Sequence, residues 1–84
     1  MLIVKKFGGS SVADKERIFH VAKRCAKDYR EGNQLIIVLS AMGKTTDGLI
    51  EKAHEIDPNP PKRELDMLLT TGEQVSVALM AMAF

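Results

Sequence analysis

The sequence predicts an α/β fold built on a parallel sheet. Two short apolar runs, residues 2–4 and 34–39, have the length and the β-branched content of buried strands. Between them, apolar residues recur at steps of three and four, as they do on one side of an amphipathic helix. A strand, a helix and a strand in this order form a βαβ unit, whose two strands are parallel.

The helix between the strands is the best-defined element of the sequence. Ser11 is its predicted N-cap, with Asp14 at the capping-box position. Gly32 and Asn33 are expected to end it. Its predicted apolar stripe consists of Ile18, Val21, Ala22, Cys25, Ala26 and Tyr29.

The second strand is continuously apolar after Gln34, which favours a strand that is covered on both faces. Residues 40–46 then form the loop that leaves its C-terminal end. In open α/β sheets this edge is where ligands bind.

Two further helices are predicted. One covers residues 47–56, and the prolines at positions 58, 60 and 61 separate it from the next. Helical character resumes at Lys62, is expected to be interrupted at Gly72, and continues as an almost wholly apolar segment over residues 73–84. Because a helix that is apolar all round must be buried or pair with another chain, we expect residues 1–84 to be a piece of a larger domain.

Composition excludes several classes of protein. The chain has 12 Lys and Arg against 11 Asp and Glu, a net charge of +1, which is not the basic footprint of a nucleic-acid-binding protein. No stretch has the pattern of a secretory signal or the apolar length of a membrane span. With Cys25 as the single cysteine, we expect a cytoplasmic protein with no nucleic-acid or membrane partner. His20 and His54 lack a second ligand at metal spacing, so no metal site is predicted.

The first candidate site is the segment 6–11, in which Lys6 and Phe7 lead into a glycine turn at residues 8–11. Adjacent glycines after a strand let backbone N–H groups converge on an anion, and a following helix N-terminus adds positive charge. Lys6 would supply a full charge able to follow a phosphoryl group during transfer. An ordinary turn beside a surface lysine has the same pattern, and the residues alone leave both interpretations open.

The second candidate is the loop at residues 40–46, which contains Gly-Lys-Thr-Thr. It is not a P-loop, because Val38 stands where that motif requires its first glycine. A hydroxyl-rich loop at the sheet edge nevertheless suits a small polar ligand. Alternatively, Thr46 is only the N-cap of the following helix.

The third candidate is Glu73. Thr70 and Glu73 have capping-box spacing, and taken by themselves they favour simple helix initiation. Apolar neighbours would, however, desolvate a glutamate at this position and make it a strong partner for an ammonium group.

Together, these segments resemble the aspartate kinase branch of the amino-acid kinase family, over the whole of residues 1–84. The matching pieces are KFGGSSV at 6–12, SAMGKTTD at 40–47 and KRELDMLLTTGEQVS at 62–76. A KxGG pattern alone is typical of the broader family, which includes kinases of glutamate, acetylglutamate, carbamate and UMP. The phenylalanine within the first motif and the TTGEQVS segment are typical of the aspartate branch.

The resemblance implies a fold and an activity. The fold is a three-layer α/β/α domain with a mostly parallel sheet, of the carbamate kinase-like kind. The activity is transfer of the γ-phosphoryl group of ATP, with Mg²⁺, to the β-carboxylate of L-aspartate, which gives 4-phospho-L-aspartate on the way to lysine, threonine and methionine. The adenine-binding half, the magnesium contacts and the regulatory ACT domains would lie beyond Phe84, so the 84 residues alone are expected to be inactive. The parent enzyme is expected to be an oligomer.

The resemblance also implies residue roles. Lys6 would be catalytic by neutralising charge on the transferring group, and Ser40, Thr46 and Glu73 would bind aspartate. The residues implied to contact the ATP phosphates are Lys6, Phe7, Gly8, Gly9 and Ser10. Two other functions remain open: a kinase of another small acid, and a non-catalytic anion-binding or self-associating module whose apolar segment pairs between chains.

Overall fold

The computed structural model describes all 84 residues and contains two strands and three α-helices. The elements are β1 (Leu2–Phe7), a 3₁₀ turn (Gly9–Val12), α1 (Lys15–Arg30), β2 (Gln34–Leu39), α2 (Thr45–Ile56) and α3 (Lys62–Ala83). The strands pair in parallel, in a register that runs from Leu2 opposite Gln34 to Phe7 opposite Leu39. The predicted βαβ unit is therefore confirmed.

Helix α1 begins later than the sequence predicts. Its N-cap is Asp14, whose side chain accepts a hydrogen bond from the Arg17 N–H at 2.9 Å. The prediction of Ser11 as N-cap is wrong, because Ser11 belongs to the 3₁₀ turn and its N–H donates to the Gly8 carbonyl. The helix ends at Arg30, and the predicted stop residue Gly32 follows its C-cap with a φ of 92°.

The core lies between α1, the end of α3 and one face of the sheet. It consists of Val12, Ile18, Val21, Ala22, Cys25, Leu39 and Met80. Four residues of the predicted stripe of α1 are among them. Tyr29 is an exception, since it is 68% exposed near the C-terminal end of the helix.

The opposite face of the sheet is open. Its residues are Leu2, Val4 and Lys6 of β1 and Gln34, Ile36 and Val38 of β2, all exposed. Ile36 and Val38 are 49% and 44% exposed, so the expectation that β2 is covered on both faces is wrong for these residues. The buried side of β2 instead packs on α1 and α3, and Lys5, on that same side of β1, forms an ion pair with Asp28 of α1.

Helix α2 begins at Thr45, two residues before the predicted start, and its N-cap is Lys44. Thr46 therefore lies inside the first turn, and its hydroxyl does not cap the helix. Asp47 in this turn complements the positive end of the helix dipole. The helix ends at Ile56, before the predicted proline segment.

Helix α3 is one unbroken helix of 22 residues, about 33 Å long, which gives the molecule its extents of 49 × 24 × 17 Å. The predicted interruption at Gly72 and the predicted capping box are both wrong. The Thr70 hydroxyl instead donates to the Asp66 carbonyl within the helix, at 2.7 Å. A glycine in a helix interior costs about 1 kcal/mol relative to alanine. The packing described below offsets that cost.

Only one stripe of the apolar half of α3 is covered. Gly72, Ser76 and Met80, four residues apart, are buried. Val75, Val77, Leu79, Met82 and Phe84 are exposed, as is Met67 nearer the start of the helix. Met80, in this stripe, is 3% exposed and belongs to the core. None of the three helices combines the length and the hydropathy that crossing a bilayer requires.

Candidate functional site

The three motif segments meet at the loop between β2 and α2, residues 40–44, and Ala41 lies at their centre. Ala41 is 4% exposed. On one side its carbonyl oxygen faces Gly9, where an added Cβ would lie 2.7 Å from that oxygen and 2.9 Å from the Gly43 oxygen. The Gly43 N–H donates to the Gly9 carbonyl at 2.9 Å. The glycine turn and the loop thus touch backbone to backbone, which only a glycine at position 9 permits.

Gly72 of α3 touches the same loop from the other side. A Cβ added to Gly72 would lie 3.1 Å from the Ala41 Cβ and 3.1 Å from the Thr45 Cγ2. Ala41 therefore contacts the glycine turn through its carbonyl and α3 through its methyl group. Glu73, the next residue along α3, shares a groove with Val38 and Leu39 at the end of β2.

Lys6 lies on the open face of the sheet, at the C-terminal end of β1. Its partner in the register is Val38, which faces the same way. Val38 also lines a groove of about 470 Å³ along the edge of β2, together with Thr70, Glu73 and Val77. The same groove is also lined by Ile37 and Leu39, which face the α1 side, so it follows the edge of β2 between the two faces of the sheet. Neither Lys6 nor Glu73 forms an ion pair with another residue of the chain.

Glu73 is exposed, so the expectation of a desolvated carboxylate is not met within these residues. The apolar neighbours on α3 that would have shielded it, Val75 and Val77, are themselves turned toward solvent. Val75 lies on the opposite side of the helix from Glu73, whereas Val77, four residues on, shares its face but is itself exposed, so neither shields the carboxylate.

Three hydroxyl groups of the predicted site make no hydrogen bond within the chain: those of Ser10, Ser40 and Thr46. The backbone around them is fixed, however. The Ser40 N–H donates to the Phe7 carbonyl at 3.1 Å, and the Arg17 guanidinium donates to the Ser10 carbonyl at 2.9 Å. The hydroxyls are therefore held on ordered backbone and free to bind a ligand.

Phe7 and Gly8 lie where β1 runs into the glycine turn. The Phe7 side chain packs against the core on the α1 side, opposite to Lys6. Gly8 has an extended conformation, with φ −77° and ψ 174°, and no atom lies within 4 Å of the position its Cβ would take. Space therefore requires a glycine at position 9 and does not require one at position 8.

The one clear pKa shift in the chain lies away from this site. Burial raises the pKa of the Cys25 thiol, while the positive charges of Lys5 and Arg24 act in the opposite direction and Asp28 adds to the rise. Cys25 is fully buried in the core, as predicted. His20 and His54 are exposed. No three His, Cys, Asp or Glu residues lie close enough together to hold a metal ion.

Sequence reasoning missed the residues that join the motifs. Ala41 has no polar side chain that would indicate a functional role, and Gly72 was interpreted as a helix break. Arg17, whose guanidinium donates to the Ser10 carbonyl in the 3₁₀ turn, was not distinguished from other charged surface residues. A glycine inside an otherwise regular helical pattern was the one available signal, because such residues often mark a close packing contact.

The three segments that meet at Ala41 belong to the motifs that carry the family resemblance. A sequence model described as "Amino acid kinase family" matches residues 1–84. The chain belongs to the amino acid kinase family. Among curated relatives, aspartokinases from Bacillus sp. (strain MGA3) and from Thermus thermophilus are each 58% identical, over 82 and 81 residues, which is 98% and 96% of the chain. The aspartokinase of Mycobacterium tuberculosis (strain H37Rv) is 57% identical over 82 residues.

A solved structure shows the same fold. The crystal structure of aspartate kinase from Synechocystis superposes with a TM-score of 0.96 over 99% of this chain, at 57% identity. The predicted fold class is therefore confirmed. The chain spans about a fifth (20%) of the length of the curated relatives and 14% of the chain in the solved structure.

Proposed function

We propose that these residues form the N-terminal part of the catalytic domain of an aspartate kinase, which transfers the γ-phosphoryl group of ATP to the β-carboxylate of L-aspartate. The observation that carries this proposal is the meeting of the three motif segments at Ala41. It is supported by the names of relatives that match almost the whole chain at 57–58% identity. The product would be 4-phospho-L-aspartate, a precursor of lysine, threonine and methionine, made in the cytoplasm by an oligomeric enzyme.

In this proposal, the end of β1 and the glycine turn hold the phosphates of ATP. Phe7, Gly8, Gly9 and Ser10 would face the phosphate groups, with the glycine N–H groups as donors. The Lys6 ammonium would stabilise negative charge on the phosphoryl group as it transfers. Phosphoryl transfer depends mainly on such positioning and electrostatic stabilisation, so no nucleophilic side chain is required.

The remaining proposed residues bind the acceptor. Thr46 would hold a carboxylate of aspartate through its unused hydroxyl, and Ser40 would order both Lys6 and the substrate. Glu73 would bind the α-ammonium group, for which an unpaired carboxylate is a suitable partner. Magnesium accompanies ATP in this reaction, and we propose that its ligands lie outside these 84 residues.

A chimaera tests the proposal. This chain would replace the matching N-terminal fifth of the aspartokinase from Geobacillus stearothermophilus, to which it is 57% identical over 82 residues. We expect aspartate-dependent release of ADP, with an acyl phosphate that hydroxylamine traps as the hydroxamate. The controls are the relative with its N-terminal fifth deleted and the isolated 84-residue chain, both expected to be inactive.

The acceptor specificity decides between aspartate kinase and a kinase of another small acid. Glutamate, N-acetylglutamate and carbamate would be assayed beside aspartate. The proposal fails if a folded chimaera, with a melting temperature close to that of the relative, phosphorylates one of these acids in preference to aspartate or phosphorylates none.

The role of Glu73 has its own test in the same chimaera. Glu73→Ala is expected to raise the KM for aspartate by about 10- to 100-fold, because a hydrogen bond to a charged group contributes about 1.5–3 kcal/mol. The KM for ATP should change less than about twofold. Glu51→Ala, at an exposed position of α2, is the matched control. Equal increases in both KM values would contradict the assigned role.

A further inference from the structure

Gly72 is buried in the middle of α3, and its backbone does not explain why it is a glycine. The two glycines with positive φ are Gly32 and Gly43, so the conformation at position 72 is open to any L-residue. What position 72 lacks is space. An added Cβ would lie 3.1 Å from two carbon atoms, Ala41 Cβ and Thr45 Cγ2, and 3.5 Å from Leu49 Cδ1.

Each residue in the tighter contact is next in sequence to a proposed substrate-binding residue. Ala41 follows Ser40, Thr45 precedes Thr46, and Gly72 precedes Glu73. The contact therefore joins the three backbone segments that carry these side chains. Its length sets how closely α3 approaches the loop and the first turn of α2.

We propose that Gly72 is a positioning residue, whose missing side chain lets α3 lie against Ala41 and Thr45 and thereby fixes the separation of the Glu73 carboxylate from the Thr46 hydroxyl. The inference rests on the proposed function, in which these two groups hold opposite ends of one amino-acid substrate. A substrate gripped at both ends requires both partners at hydrogen-bonding distance at once. A displacement of a few tenths of an ångström between the two elements therefore weakens binding of the amino acid.

Nucleotide binding should be much less sensitive to this contact. The proposed phosphate-binding turn touches the other side of the loop, through the backbone of Gly9 and Gly43. Because closely packed backbone resists displacement, strain introduced at α3 is expected to move the helix rather than the glycine turn.

The test uses Gly72→Ala in the active chimaera. Alanine is a better helix former than glycine, so a purely local role predicts an unchanged enzyme with equal or higher thermal stability. The positioning role predicts a KM for aspartate that is raised about tenfold, since one partner of a charged hydrogen bond is displaced. The KM for ATP should stay within about twofold.

Two further variants complete the design. Gly48→Ala adds the same methyl group to a glycine of α2 that has no atom within 4 Å of the new Cβ, so both KM values should be unchanged. Thr45→Ser removes the Cγ2 methyl group that the new Cβ would meet, but it keeps the hydroxyl. Combining Thr45→Ser with Gly72→Ala is expected to restore part of the affinity for aspartate, because the contact with the Ala41 Cβ remains.

The outcomes separate this inference from the proposed function. An unsubstituted chimaera that folds but does not use aspartate overturns the proposed function. If that chimaera is active, an unchanged aspartate KM in Gly72→Ala, or equal increases in both KM values, overturns the positioning role alone. If Gly72→Ala does not fold, the double variant decides: recovery of folding with an aspartate KM raised more than the KM for ATP supports the contact, and failure to recover overturns it.

Discussion

The packed junction around Ala41 and the open face of the sheet are both formed by residues next to the two strands, yet the chain covers them very differently. At the junction, Gly9 and Gly72 bring backbone and methyl groups into direct contact. On the open face, Ile36 and Val38 leave almost half of their surface in solvent. These 84 residues therefore complete the contacts that join the motifs, whereas they leave much of the apolar surface beside the motifs uncovered.

The difference follows from the kind of contact that each region uses. Short-range backbone contacts at the junction need only a few residues without side chains, and three short segments supply them. Burial of a sheet face needs a second layer of side chains over the whole area. Lys6 lies at the border of the two regions. Its side chain is on the open face, but in sequence it is only three residues before Gly9, which is part of the packed junction.

The largest effect is expected from breaking the junction with Gly9→Ala. The new Cβ would lie 2.7 Å and 2.9 Å from two backbone oxygens that cannot rotate away. Overpacking usually costs 1–3 kcal/mol, and we expect about 3 kcal/mol here, measured as the free energy of unfolding of the chimaera in urea. Gly8→Ala is the matched control, since no atom crowds its Cβ and its φ of −77° suits alanine. Similar losses for the two variants would show that the junction is not tightly packed.

The next effect is expected at the border, from Lys6→Met in the chimaera. Removing a charge that stabilises the transferring phosphoryl group should lower kcat by about 100-fold or more. Stability should be almost unchanged, because Lys6 is exposed and forms no ion pair. Lys27→Met, at an exposed position of α1, makes the same change of charge away from the site. If both variants keep full kcat, Lys6 belongs functionally to the open face and the phosphate site lies elsewhere.

A smaller change in the free energy of unfolding should distinguish the core, in which α1 packs on one face of the sheet, from the open face. In the 84-residue chain, Val21→Ala is expected to lower the free energy of unfolding by about 2 kcal/mol, through lost burial and a cavity. Ile36→Thr should change it by less than about 0.5 kcal/mol, as is usual for exposed positions. Urea denaturation at several protein concentrations provides the measurement. A comparable loss at Ile36 that grows with concentration would show that the open face pairs between chains.

The smallest effect is the contribution of the buried Cys25 thiol to the pH dependence of the free energy of unfolding. Burial raises the pKa of the Cys25 thiol above its ordinary value of 9.0, so the folded state favours the neutral form. The unfolded chain loses this proton at lower pH than the folded chain does. The thiol's contribution to stability is therefore complete below pH 9 and declines as the pH rises above it. Urea midpoints between about pH 7 and 10.5 should fall less steeply for Cys25→Ala than for the unsubstituted chain, and parallel curves would contradict this.

Local patterns in the sequence were sufficient for most of the secondary structure. The two strands, the apolar stripe from Ile18 to Cys25 and the end of α1 before Gly32 depend on neighbours within a few residues, and all three were predicted correctly. The errors occurred where two local signals competed. Ser11 and Asp14 are both acceptable caps, and the choice of Asp14 followed from the 3₁₀ turn that buries Val12 ahead of it.

The candidate residues were likewise visible in the sequence, since lysine, glycine, serine, threonine and glutamate in these motifs are chemically distinctive. Their assigned roles remain predictions until the variants are measured. What the motifs did not reveal was how they are joined, because Ala41 acts through its carbonyl and methyl groups and Gly72 through its missing side chain.

By itself, the sequence determined the order of the elements and the parallel strand pair, and it supplied the candidate residues for contact with phosphate and an amino acid. The tertiary structure alone decided that α3 runs unbroken through Gly72, that Glu73 stands exposed beside the β2 edge, and that the three motifs converge on one alanine. The physical reason is range. Helix and strand preferences arise from interactions between near neighbours along the chain, whereas a glycine's fit against a distant methyl group exists only once the elements have packed together.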